Sequence, residues 1–150
     1  MAVFLSVTLG DVRVALSADA VDRVLHAVEI SPLPGAPADT LGVINIHGTI
    51  VPVLDLRARL GLPPRGLHVT DHIVTARTAR RTVAVVVDHC DAVFEAGADA
   101  LTDAHEVLPG IRHVEGVAVD AHGMVFLHDL DAFLSLDEDT QLERAVAEIR

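Results

Sequence analysis

Two apolar runs separated by only two residues constrain the fold of this chain more than any other feature. The runs 41–46 (LGVINI) and 49–54 (TIVPVL) flank the dipeptide His47-Gly48. A two-residue connection that contains glycine is typical of a β-hairpin, because glycine readily adopts the positive φ of a tight turn. Pro52 cannot donate a hydrogen bond to a neighbouring strand, so we expect it at a sheet edge or at a bulge.

Further short strands are predicted along the chain, because β-branched and apolar residues alternate with turn residues. Three more hairpins are predicted, from the runs 3–8 with 12–16, 72–76 with 82–87, and 113–119 with 123–127. The segment 17–28 is compatible with either helical turns or a bent strand, since its apolar spacing does not decide between them. Many short strands with Gly and Pro turns favour barrels or a sandwich.

Three short helices are predicted between and after the strands. The first covers residues 55–60 and stops at Gly61, and the second covers residues 99–107. The third begins after Ser135, where S-x-x-E forms a capping-box pattern. Its predicted apolar face consists of Leu142, Ala145, Val146 and Ile149.

The domain organisation follows from the loop between the two groups of strands. We expect a single domain over residues 1–150. The loop 63–66 is the best boundary within it, with one barrel over about 12–70 and a second over about 71–127. The N-terminal strand 3–8 is not assigned to either barrel, and a C-terminal helix covers residues 136–149.

The composition excludes several classes of function. The net charge is −11, so we expect no nucleic-acid partner and no anionic membrane surface. No apolar run approaches the roughly 18–20 residues that span a bilayer, so we expect no direct membrane insertion. The N-terminus lacks the basic region of a signal peptide, and the single cysteine, Cys90, suits a reducing compartment. We therefore expect a cytoplasmic protein.

Nine histidines make a metal-dependent enzyme one alternative. His68 and His72 are four residues apart, but their surroundings do not predict the helix that this spacing needs. Cys90 and His89 would face opposite sides of a strand, which disfavours a nucleophile pair. No spacing groups the remaining candidates His105, His113, His122 and His128. We expect no cofactor, no metal and no catalytic residue.

The order of several motifs resembles the CheW-type domains, a family of chemotaxis coupling proteins. A proline-rich loop, 30–37, precedes the segment 41–57, which is similar to that family's G-V-x-N-x-R-G turn and V-P-V-x-D-L strand. The likeness continues through Val85–Asp88 and Gly116-Val117, and it covers roughly residues 3–135. The residues that we expect to shape the fold in this stretch are Gly42, Asn45, Gly48, Pro52 and Asp55.

The resemblance implies a mostly β fold with two SH3-like five-stranded barrels, short helices and a C-terminal helix. It also implies a non-enzymatic adaptor, recruited to membrane receptor arrays, with two partners. One partner is the regulatory domain of a CheA-type histidine kinase, and the other is the cytoplasmic tip of a chemoreceptor.

The resemblance also suggests where each partner would bind. The receptor groove would include Val21, Arg23, Val24, His47, His72 and Val87. The kinase-facing surface is assigned to Ile30, Leu33 and Pro34. We expect apolar contacts to supply affinity and the charged rim to supply partner choice.

Two residues depart from the family pattern. His47 stands where the family usually has Arg, and Arg23 stands where it usually has Glu. An acidic and basic pair is thus replaced by a basic and titratable pair. A divergent chemoreceptor, an adaptor of a kinase pathway outside chemotaxis (motility, pili or development), and neutral drift all remain open.

Overall fold

The structure is a computed structural model that describes residues 2–96, 101–102, 116–120, 123–133 and 135–149. The strands are β1 (Ala2–Leu9), β2 (Val12–Ser17), β3 (Val21–His26), β4 (Thr40–Ile46), β5 (Thr49–Leu54), β6 (His72–Arg77), β7 (Thr82–Val87), β8 (His89–Ala96), β9 (Leu101–Thr102), β10 (Gly116–Asp120) and β11 (Gly123–Leu127). The helices are α1 (Leu56–Arg59), a 3₁₀ turn (Leu130–Ala132) and α2 (Leu136–Glu148).

These strands form two sheets. The terminal sheet has the order β8-β1-β2-β11-β10-β9, and the central sheet has the order β3-β6-β7-β5-β4. The expected mostly β fold, with two β subdomains, short helices and a C-terminal helix, is confirmed, but the terminal sheet has six described strands where five were expected. The segment left open between helix and strand is the strand β3.

The predicted division into barrels over 12–70 and 71–127 is wrong. β6 and β7 belong to the central sheet with β3, β4 and β5, whereas β1 and β2 belong with the C-terminal strands. A parallel pairing of β2 with β11, at Val14↔Phe126 and Ala15↔Leu127, joins the two ends of the chain. Strand patterns in a sequence do not specify such distant pairing, so dividing the chain into an N-terminal and a C-terminal barrel gave the wrong sheets.

Most of the predicted local elements are confirmed, with one exception. The hairpins β1–β2, β4–β5, β6–β7 and β10–β11 all have antiparallel registers. The helix predicted over 99–107 is wrong at Leu101–Thr102, which pair with β10 as a short strand. The rest of that prediction, and residues 113–115, lie outside the described residues.

The largest apolar cluster contains side chains from both sheets. The terminal sheet contributes residues such as Val7 and Leu16, and the central sheet contributes Val74 and Val85. Phe133, fully buried, follows the 3₁₀ turn and belongs to the same cluster. Removing such side chains from water supplies the main driving force for joining the two sheets.

Pro52 occupies a position that was not predicted correctly. β5 lies between β4 and β7, so Pro52 is not in an edge strand, and the bulge of this hairpin lies in β4. Its cross-strand partner Val43 exchanges backbone hydrogen bonds of 2.8 and 2.9 Å with Ser31 instead. The pairing of β5 with β7 begins only at Val53, so the missing N–H of Pro52 interrupts neither ladder.

The helix α2 begins at the predicted capping box. The Ser135 side chain accepts from the Glu138 N–H, and the Glu138 carboxylate accepts from the Ser135 N–H. Its buried face is formed by Leu142, Ala145 and Val146. Ile149, predicted on the same face, is 45% exposed because the helix has already ended there.

Candidate functional site

The edge strand β3 presents the first group of predicted site residues. Arg23 is exposed and Val24 is 44% exposed, while Val21 is half-buried. A register shift between Val21 and Arg23 marks a β-bulge, and the buried Thr75 hydroxyl accepts from the Arg23 N–H at 3.1 Å. A bulge re-aims side chains at a sheet edge, so it sets how β3 faces a partner.

A cleft of about 410 Å³ opens between the two sheets beside β3. Val21 and Ala76 line it from the central sheet, and Phe4, Leu16 and Leu127 line it from the terminal sheet. It is a mainly apolar cleft next to the exposed Arg23 and Val24. Of the six predicted groove residues, Val21 alone lines this cleft.

The structure does not gather the other predicted groove residues at this cleft. His72 is paired with His26 at the far end of β3 from Val21, roughly 16 Å along the strand. The His26 and His72 rings have centroids 5.5 Å apart. Val87 is fully buried among the side chains between the sheets, so its assignment to the groove is wrong, and its cross-strand neighbour His72 is half-buried.

His47 occupies the two-residue turn of the β4–β5 hairpin. Both His47 (φ 50°) and Gly48 (φ 85°) have positive φ, as a type I′ turn requires. The Asn45 side chain accepts from the Gly48 N–H at 2.7 Å and fixes the turn. No hydrogen bond or ion pair joins His47 to Arg23 in the described part of the chain, and Arg23 instead lies 3.8 Å from the carboxylate of Asp22.

A second cleft, of about 460 Å³, lies beside α1 on the central sheet. Ile30, Leu41, Pro64 and Leu67 supply its apolar wall, and Leu41 and Leu67 are among the exposed large hydrophobic residues. Ile30 lines this cleft and Pro34 is exposed, and their contact with a kinase stays a prediction. Leu33 is only 8% exposed because α2 packs over it.

A network of ion pairs forms the polar floor of the second cleft. Asp88, between β7 and β8, accepts from Arg57 of α1 at 2.7 Å and also from Arg65. Arg65 donates in addition to the buried Asp71 at 2.7 Å. The Gly10 N–H, from the β1–β2 turn, donates to Asp88 at 2.8 Å. The network therefore connects the terminal sheet to α1 and to the loop of the second cleft.

The surroundings of Asp88 hold its carboxyl group ionised. Partial burial by itself raises the pKa of Asp88, but the hydrogen bonds from Gly10, Arg57 and Arg65 outweigh it and lower the pKa from 3.8 to about 2. In the sequence, Asp88 stands out as part of a family motif, and its pairing with Glu95 as two carboxylates gave no sign of this network. No sequence signal indicated Arg65 or Asp71, since loop residues show no period that would place them.

The structure gives little support to the two alternative sites, a reactive Cys90 and a histidine metal site. Burial raises the pKa of the Cys90 thiol, and the nearby Asp91 raises it further, which opposes formation of a reactive thiolate. Within the described residues, no three His, Cys, Asp or Glu side chains are grouped as a metal site. Of the other predicted candidates, His128 is buried, and His105, His113 and His122 lie outside the described residues.

Comparison with known proteins identifies the family. The family model for the CheW-like domain matches residues 3–138. The chain belongs to the CheW-like domain family. The chemotaxis protein CheW of Rhizobium meliloti is 26% identical over 132 residues, which cover 87% of this chain and 85% of that protein. The chemotaxis protein CheW of Klebsiella aerogenes is 25% identical over 137 residues, or 90% of this chain and 82% of that protein.

A solved CheW-like structure confirms the fold. The crystal structure of the scaffolding protein TtCheW from Thermoanaerobacter tengcongensis aligns with a TM-score of 0.80 and 23% sequence identity. The alignment covers 91% of this chain and 94% of that chain. Among the described helices of this CheW-like chain, none is both long and apolar enough to cross a membrane.

Proposed function

We propose that this chain is a non-enzymatic adaptor that couples the cytoplasmic tip of a chemoreceptor to the regulatory domain of a CheA-type histidine kinase. The observation that carries the proposal is the presence of two clefts of similar size with no lining residue in common, on a chain of the CheW-like family. An adaptor must hold two partners at once, and two separate apolar surfaces meet that need.

The receptor surface is assigned to the cleft between the sheets and the adjoining edge of β3. Apolar side chains of a receptor helix would enter beside Val21 and contact the exposed Val24. Arg23 would pair with a carboxylate at the rim and so contribute to partner choice. His47 and His72 are assigned to the periphery of this surface.

The kinase surface is assigned to the cleft beside α1 and the adjoining loop. Ile30 lines this cleft, the exposed Leu41 and Leu67 extend it, and Pro34 lies on the loop that follows Ile30. Apolar side chains rimmed by charged groups are typical of the centre of a protein interface. The ion pairs of Asp88 beneath the cleft would hold α1 and the 62–71 loop in a fixed position.

Two substitutions test whether the surfaces are separate. Val24→Asp should abolish capture of a receptor signalling fragment and leave kinase capture intact, because a buried unpaired charge is costly. Ile30→Asp should abolish capture of the kinase regulatory domain and leave receptor capture intact. Val93→Asp, at a 64% exposed apolar residue of β8, is the matched control and should change neither. Binding would be measured with purified kinase regulatory domain and receptor fragment from the same genome.

A pull-down from the native lysate, analysed by mass spectrometry, decides the pathway. Recovery of a histidine kinase with a chemoreceptor supports the coupling role, provided that Val24→Asp loses the receptor alone. Recovery of neither protein by the unmodified chain would reject the proposal.

An adaptor of a kinase pathway outside chemotaxis is the second candidate. The observation that favours it is the exposed Arg23 and His47, which replace the acidic and basic residues usual in the family and make no ion pair with each other in the described structure. Recovery of a kinase without any chemoreceptor in the same pull-down would select this candidate over the first.

A further inference from the structure

The helix α2 covers an apolar surface of the central sheet. Leu142, Ala145 and Val146 pack against Leu33 and Val43, with Ala36 and Ile50 at the margin. This cluster shares no buried residue with the one between the sheets or with the one inside the central sheet. The helix can therefore leave without opening either of those cores.

Polar contacts at the edge of α2 hold it in place. Arg81, in the β6–β7 turn, donates to Asp139 at 3.0 Å and lies 2.9 Å from Glu143. Arg80 adds a longer contact of 3.7 Å to Asp139. The Gln141 side chain donates to the Gly35 carbonyl at 2.9 Å. Since Glu143 is 55% exposed, part of this attachment is open to screening by salt.

The surface beneath α2 is continuous with the proposed kinase surface. Ser31 pairs with Val43 through two backbone hydrogen bonds, so Ile30 in the open cleft and Leu33 under α2 flank the same bridge. Leu41, two residues before Val43, is exposed at the cleft. Most of α2 also lies beyond residue 138, where the match to the CheW-like domain ends. Ile30, Leu33, Leu41 and Val43 thus form one apolar strip, which α2 covers at Leu33 and Val43 and leaves open at Ile30 and Leu41.

We propose that α2 is an intramolecular competitor of the kinase regulatory domain. With α2 docked, only the Ile30 and Leu41 part of the strip is available and binding is weak. With α2 released, Leu33 and Val43 join the interface and binding is tight. The inference rests on the kinase half of the proposed function, and it assigns the partner an apolar face that replaces the Leu142, Ala145 and Val146 side chains.

The test compares Arg81→Ala with Arg144→Ala in the whole chain of 150 residues. Both substitutions remove one arginine, but Arg144 is exposed on α2 and lies away from the ion pairs of Arg81 with Asp139 and Glu143. Arg81→Ala should raise the equilibrium constant for α2 release by about five- to tenfold. Amide hydrogen exchange in α2 and affinity for the purified kinase regulatory domain should increase by the same factor, because both depend on the released fraction. Arg144→Ala should change neither quantity.

Each result has a separate meaning. Equal factors for exchange and affinity support the competition. Faster exchange with unchanged affinity rejects it, because α2 would then release without exposing a kinase contact. Unchanged exchange in Arg81→Ala also rejects it, since the ion pairs would not hold the helix. If neither the unmodified chain nor the variant binds the kinase domain, the proposed coupling function fails, and the competition fails with it.

Discussion

At the scale of single residues, the turn of the β4–β5 hairpin holds a non-glycine residue at positive φ. His47 holds a positive φ of 50° although it has a Cβ atom, and the left-handed region costs such a residue roughly 1–2 kcal/mol. His47 is nevertheless exposed, at the tip of the hairpin. An exposed side chain kept at a strained backbone position is a candidate contact residue.

Gly48→Ala should lower the free energy of unfolding by about 1 kcal/mol. The cause is backbone strain alone, because nothing lies within 4 Å of the added Cβ and φ is +85°. Gly66→Ala is the matched control, since it also meets open space and has no positive φ in that range. Urea denaturation of both variants measures the difference. Equal stabilities would show that the turn tolerates a left-handed alanine.

His47→Glu should weaken binding to the chemoreceptor fragment by roughly tenfold, because a rim charge of the wrong sign opposes the partner. His68→Glu is the control: His68 is also exposed, but it lies in the loop of the other cleft. Binding to the receptor fragment would be measured at low and at physiological salt. If His47→Glu leaves binding to every candidate receptor unchanged, the assignment of His47 to the groove is wrong.

At the scale of elements, two β-bulges shape the two surfaces. The bulge in β3 lies between Val21 and Arg23, beside the cleft between the sheets. The bulge in β4 lies between Thr40 and Gly42 and leaves Leu41 as the extra residue, 44% exposed at the second cleft. Each bulge lets an edge strand present a side chain that a regular ladder would have turned elsewhere.

Gly42→Ala should destabilise the protein by about 3 kcal/mol, more than Gly48→Ala. The added Cβ would lie 2.2 Å from the Ser31 carbonyl oxygen, which is backbone and cannot rotate away. The two hydrogen bonds between Ser31 and Val43 would then be lost or stretched. Gly35→Ala is the comparison, because it has φ +80° and nothing within 4 Å. Chemical denaturation would contradict the prediction if the two variants lost equal stability.

At the scale of the whole molecule, the Asp88 network ties the two sheets together. Gly10 belongs to the β1–β2 turn of the terminal sheet, whereas Arg57 and Arg65 follow the central sheet's β5 in the chain. The Asp88 side chain is only 20% exposed, so solvent screens these contacts incompletely. Loss of the Asp88 charge should therefore affect the joining of the sheets and not only one loop.

The stability contributed by Asp88 should disappear in acid. The folded pKa of about 2 is below the ordinary 3.8, so this contribution is complete above about pH 4 and is lost as pH falls towards 2. The difference corresponds to roughly 2 kcal/mol. The free energy of unfolding should fall between pH 5 and pH 2.5, and in Asp88→Asn this fall should be smaller because the Asp88 contribution is already missing. Asp11→Asn is the control, at an exposed carboxylate next to Gly10 in the β1–β2 turn, and should leave the fall unchanged. Identical pH profiles for both variants would rule out a special role for Asp88.

Local order in this chain was predictable from its sequence. The hairpins, the helix that Asp55 caps and the capping box at Ser135 depend on contacts within a few residues, so alternation, glycine and capping signals were enough to place them. The family motifs likewise lie within continuous segments. Arg23 and His47 are both exposed, and their roles in binding stay predictions.

Tertiary structure alone decided which strands share a sheet and which side chains reach a surface. Three features depend on residues that are far apart in the chain: the parallel β2–β11 pairing, the burial of Val87 between the sheets, and the packing of α2 over Leu33. The Asp88 network likewise depends on Arg65, from a loop without a periodic pattern. Sequence pattern fixes which residues are apolar and where the chain turns. It does not specify the distant partner against which an apolar face packs, because that choice depends on packing and chain closure over the whole fold.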